Sequence, residues 1–65
     1  MHKIKTIEVD EDTQIVIGHN LVSGDYEVQI VWDGGIVRRA RTDNVMNTEI
    51  MGRRLAYEFM QGDAS

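Results

Sequence analysis

Three groups of residues in this chain have side chains capable of chemistry, and their spacing decides how far each can go. The contiguous acids Asp10-Glu11-Asp12 do not match a calcium loop, which sets its carboxylates two apart and places a glycine at the sixth position. They read as a solvated turn. The two histidines, His2 and His19, come with no cysteine at all, which leaves a four-ligand structural zinc site without its ligands. His19 has no serine, cysteine or paired histidine near it in sequence to activate, so it reads as an amphipathic filler on a strand. Asp33-Gly34-Gly35 is too short to cradle a phosphate and reads as a hairpin turn. No nucleophile with its base, no carboxylate pair and no metal cluster stands at a recognisable spacing. The chain is therefore expected to be a non-enzyme without cofactor or metal.

The third group is Arg38, Arg39, Arg41, Arg53 and Arg54. Arginines at alternate strand positions share a face, so Arg39 and Arg41 could act together on a phosphate backbone. Sheets that bind single strands add aromatic side chains on which bases stack. The exposed face of this one offers Glu27 and Gln29 instead. Nucleic-acid binding through Arg38, Arg39, Arg41 and Arg54, with Arg53 beside them, is the second expectation for function.

Charge weighs the same way. The 65 residues carry a formal net charge of −4, which works against general affinity for phosphate backbones. The distribution is uneven: residues 1–33 hold two lysines and seven acids, residues 34–65 five arginines and four acids. No run of eighteen apolar residues is present, and His2-Lys3-Ile4-Lys5 opens onto acids rather than an apolar leader. A soluble, cytoplasmic protein with no membrane contact is expected. A chain of this length makes a single domain (1–65) that buries only about 60% of its unfolded surface. Without disulfides, such a domain is expected to gain stability from close packing or from a second subunit.

The elements that position these groups follow from periodicity. Strands are expected at 3–9, 13–22, 26–32 and 36–42, a helix at 44–61, and a flexible tail at 62–65. Lys3 and Lys5 mark the first as an edge strand. In the second, Ile15, Ile17, His19 and Leu21 share a face, and Gly18 marks a bulge. A two-residue Ser23-Gly24 turn would set Leu21 against Tyr26, His19 against Val28, Ile17 against Ile30 and Ile15 against Trp32. Tyr26 to Trp32 alternates most clearly and is expected at the centre. A three-residue turn at Asp33-Gly34-Gly35 would oppose Trp32 to Ile36, Val28 to Ala40 and Glu27 to Arg41, and would turn Arg38 inward opposite Ile30. Trp32 is thus expected inside, against Ile15 and Ile36 and beneath Leu55 and Phe59. The whole is an α+β, two-layer domain of order ββββα, a four-stranded antiparallel meander with one C-terminal helix.

The helix has two apolar faces. Asp43 or Asn44 caps its start, and Gly62 ends it. Val45, Thr48, Gly52, Leu55, Ala56 and Phe59 gather on one side with Met51 at the edge, a core stripe. Met46, Ile50 and Tyr57 align nearly opposite, with Arg53 and Met60 at the margin. A two-layer domain buries one side of its helix, and methionine is frequent at adaptable binding faces. The second stripe is expected to meet a partner, either a second copy in a homodimer or a larger protein. The first expectation for function is therefore a small acidic protein-binding module, inhibitory or regulatory, such as a compact phage-type inhibitor, that works by surface contact.

Overall fold

The computed structural model describes residues 1–62. Four antiparallel strands, β1 (His2–Glu8), β2 (Thr13–His19), β3 (Tyr26–Trp32) and β4 (Gly35–Thr42), form one sheet in the order β1-β2-β3-β4. A single 3-10 turn, Val45–Asn47, leads into α1 (Thr48–Met60), which packs across β2, β3 and β4. This is the ββββα, two-layer arrangement expected from the pattern. Of the expected tail, Asp63, Ala64 and Ser65 lie outside the described residues.

The core is the alternation of β2 and β3 closed by the helix. Ile15, Ile17, Val28, Ile30 and Ala56 are buried, with Ile7, Val37, Leu55 and Phe59 packed around them. Gly52 is where the layers come closest. A Cβ there would stand 2.5 Å from Cγ2 of Ile15 and 3.2 Å from Cγ1 of Val28, so the glycine serves the sheet. The close approach offsets the roughly 1 kcal/mol that glycine costs a helix interior relative to alanine.

The helix ends as its sequence dictates, while the cap expected at its start holds the 3-10 turn that precedes it, and α1 itself follows Asn47 with no side-chain cap. Oδ1 of Asn44 accepts from the Met46 N–H at 2.9 Å, and Gly62, at φ 82°, closes the C-terminus with its N–H on the Phe59 carbonyl. The start differs by one turn. The 3-10 segment advances 3.0 residues per turn rather than 3.6, which takes Val45 off the core stripe and leaves it exposed.

Two registers differ from expectation. β2 stops at His19, and Ile15 opposes Ile30, Ile17 opposes Val28 and His19 opposes Tyr26. The connection runs through the whole of 20–25. Asn20 organises it: its side chain accepts from the N–H groups of Val22 and Ser23, its carbonyl from Gly24 N–H at 2.7 Å, and its own N–H reaches the Asp25 carbonyl. These bonds satisfy the backbone of a wide loop and outcompete the tight Ser23-Gly24 turn. The displacement is two residues, so the apolar face is preserved while every pairing moves by one row.

At the other hairpin the turn is a two-residue one, with Asp33 at φ 52° and Gly34 at φ 84°, and Trp32 opposes Gly35. A bulge at Val37 then supplies the extra residue, so Ile30 opposes Arg38, Val28 opposes Ala40 and Glu27 opposes Arg41 as expected. Before the bulge, Ile36 opposes Val31 on the outer face and is exposed.

Trp32 is therefore not inside. The shift in β2 places it in the end row opposite Thr13, the bulge turns Ile36 away from it, and 46% of its surface remains exposed. Its ring meets only the rim of the core, tilted against Phe59 at 6.0 Å between centroids. Arg38 does point to the helix side and resolves the cost of an inward charge by lying along the sheet's margin. Its guanidinium is 5.4 Å from the Phe59 ring centroid and donates to the Val37 carbonyl at 2.8 Å.

Candidate interaction surface

The first acid of the first turn, Asp10, is used internally. Oδ1 of Asp10 accepts from the N–H of Asp12 and of Thr13, and these donors, Asp12 foremost, hold its carboxyl below the ordinary value near 3.8. No group of three or more His, Cys, Asp or Glu side chains among the described residues is arranged to hold a metal ion. His19 stacks on Tyr26 at 4.5 Å, the place of a filler in a cross-strand row.

The five arginines are not brought together. Arg39 and Arg41 lie on the outer face, where both approach Glu27, at 3.8 and 4.0 Å, and Gln29 donates to the same carboxylate at 2.8 Å. Arg38 is at the margin on Phe59. Arg53 and Arg54 are on the helix. All four aromatic residues of the chain, Tyr26, Trp32, Tyr57 and Phe59, belong to the helix or to strand positions on the helix side, so the outer face has basic groups without a stacking platform.

The second helix stripe does form a surface. Met46, Ile50, Tyr57 and Met60 are each between 49 and 77% exposed. At 100° per residue Ile50, Arg53, Tyr57 and Met60 fall within an arc of about 80°, on the flank of α1 that looks toward β1. Met46, in the 3-10 turn, extends the surface beyond the helix proper. The β1 bulge at Ile4 keeps Lys5 opposite Ile17 and Ile7 opposite Ile15, both on the helix side of the sheet. Lys5 bridges to Glu49 at 3.1 Å, and Arg53 reaches the same carboxylate oxygen at 3.8 Å.

Between this flank and the end of β1 lies an open groove of about 170 Å³ lined by Val9, Ile15, Arg53, Ala56, Tyr57 and Met60. It exists because α1 lies over β2, β3 and β4, so that β1 overhangs it. Of the five expected contact residues, Arg53, Tyr57 and Met60 line the groove, while Met46 and Ile50 continue the exposed surface outside it. Val9 joins the site from the strand side. Its sequence signal was present in the shared side of Lys5, Ile7 and Val9, but that pattern does not reveal an overhang.

A second exposed feature escaped the sequence reading altogether. The 20–25 loop holds Leu21 and Val22 outward, Val22 at 98% exposure, on a backbone fixed by the Asn20 bonds and by Ser23 Oγ to Asp25 at 2.5 Å. The signal was Asn20 itself, whose side chain favours a turn two residues on. Among the described residues no helix is long and apolar enough to cross a membrane. Compared with models of known protein families, with characterised proteins and with solved structures, the chain matches none.

Proposed function

We propose that this chain is a protein-binding module, inhibitory or regulatory, that acts by surface contact through Met46, Ile50, Arg53, Tyr57 and Met60. The observation that carries this is the exposed apolar flank of α1, continuous with a groove that reaches Ile15 and Ala56 of the core. Three large apolar side chains left in water on one side of a 13-residue helix, with Met46 of the preceding turn beside them, are a contact surface in search of its partner, a second copy or a larger protein. Burying each would contribute about 1.5–3 kcal/mol before the costs of association. The cysteine-free composition suits the reducing cytoplasm, where we place this activity.

Nucleic-acid binding has less support, because Arg39 and Arg41 already share Glu27 and the arginines are spread over separate places. One experiment separates the two. A photo-crosslinking side chain at Ile50 should yield adducts in cells, at twice the chain mass or higher, and the same group at Arg39 should not. Adducts from Arg39 alone, together with oligonucleotide affinity that falls steeply with salt, would replace the protein-binding reading with the nucleic-acid one. An absence of adducts from both positions would remove both.

A further inference from the structure

Resting on the protein-binding reading above, we infer that the groove between β1 and α1 takes one bulky apolar side chain from a peptide segment of another protein, and that Arg53 receives a carboxylate lying beside that anchor. Two observations set this chemistry. The first is volume. About 170 Å³ is below the roughly 300–1,000 Å³ of small-molecule pockets. It is close to the ~150 Å³ that suffices, in an engineered apolar cavity elsewhere, to hold a benzene ring. One Leu, Ile, Met or Phe side chain therefore fills the groove. Val9, Ile15, Ala56, Met60 and the Tyr57 ring give it apolar walls, and binding anchors characteristically enter such pockets.

The second observation is charge. Among the described residues Arg53 is the one charged group in the lining, and its side chain is 64% exposed at the mouth. Its neighbour Glu49 is shared with Lys5, the closer partner at 3.1 Å against 3.8 Å. Two cations meet one carboxylate, which leaves one positive charge over at the edge of an apolar groove, on a chain whose formal net charge is −4. An incoming carboxylate would complete this set, and the guanidinium fork favours a planar anion. A basic segment would instead add a third cation.

The test uses the full chain, immobilised, against a random library of twelve-residue peptides. Selected peptides are expected to share Leu, Ile, Met or Phe within two positions of Asp or Glu. Exchanging that acid for its amide in the best peptide should weaken binding about tenfold at low salt and less at high salt. Arg53→Gln should erase the difference between the acid and amide peptides. Met60→Lys should abolish binding of both, and because it adds a positive charge, that loss would come from the apolar site. Circular dichroism checks that each variant is folded. Selected peptides without an acid, an acid-to-amide exchange that changes nothing, binding indifferent to Met60→Lys, or no selected peptide at all would each overturn the inference. Ile50 crosslinks persisting alongside any of these results would leave the protein-binding reading standing.

Discussion

The two flanks of α1 are made of similar residues and have opposite fates. On the side toward β4, Leu55 and Phe59 pack on the core, Val37 closes in from the bulge, and Trp32 and Arg38 lie against the Phe59 ring. On the side toward β1, Ile50, Tyr57 and Met60 are exposed, and the Lys5–Glu49 bridge joins helix to strand. Hydrophobicity alone does not separate these sets. Position does: the helix lies over three of the four strands, so one flank finds a strand beneath it and the other finds an overhang. The same apolar content is cohesion on the first flank and exposed surface on the second, and the two should respond to mutation in opposite ways.

The largest effect is expected on the closed flank. Phe59→Ala removes the ring that Trp32 and Arg38 both touch and the core contacts beneath it. A fully buried Phe→Ala costs about 3–5 kcal/mol, and this partly buried ring should cost about 2–4. That is a large part of the stability of a domain this small, so urea denaturation should show a much lower midpoint or no folded baseline. A loss under 1 kcal/mol would mean the flank is not closed as described.

Trp32→Ala comes next and sharpens the comparison from the rim. A buried tryptophan would make this variant unfold. With 46% of its surface in water and one tilted ring contact, Trp32 should lose about 1–2 kcal/mol and leave a folded protein. The emission of Trp32 in the native chain should accordingly be that of a partly solvated indole, red-shifting only modestly on unfolding. A blue, fully buried spectrum would return it to the interior.

How much of this was legible follows from which interactions are periodic and which are local exceptions. The strands, the meander order, the inward faces of β2 and β3 and the end of the helix at Gly62 come from alternation and chain-terminating chemistry, and they hold; the cap expected at the helix start serves the 3-10 turn instead, and α1 begins after Asn47 without a side-chain cap. The errors at Leu21, Trp32 and Ile36 share one cause. A wide loop at Asn20 and a bulge at Val37 each change the count of residues between paired positions: the first by two, to which alternation is blind, the second by one, which turns Ile36 to the other face and leaves the rest of β4 in its expected register. The inward Arg38 was visible as a conflict, and the conflict marked a real irregularity one residue from the bulge. At the site, the stripe of Met46, Ile50, Tyr57 and Met60 was readable from helical spacing. The groove was not, because it depends on where the helix lies over the sheet, and no residue pattern in either element encodes that offset. Gly52 came nearest: it announced a close approach without saying what approached.

The smallest expected effect on stability is also the one that most directly tests the open flank. Met46→Glu changes a side chain that is 77% exposed and lies in the 3-10 turn, outside the core contacts. Surface substitutions of this kind usually change stability by no more than about 0.5 kcal/mol, since water can solvate the new charge. An apolar interface cannot, because a desolvated carboxylate without a partner costs several kcal/mol. The variant should therefore melt like the parent in circular dichroism and yet weaken or lose the crosslinks formed from Ile50, four positions along the chain. A single substitution with no effect on folding and a large effect on contact separates a surface held for a partner from apolar residues that are merely exposed. If Met46→Glu instead unfolds the chain, this flank is part of the core and the contrast between the two sides of α1 is lost; if it leaves the crosslinks unchanged, the contact begins beyond the 3-10 turn, on Ile50 and the groove.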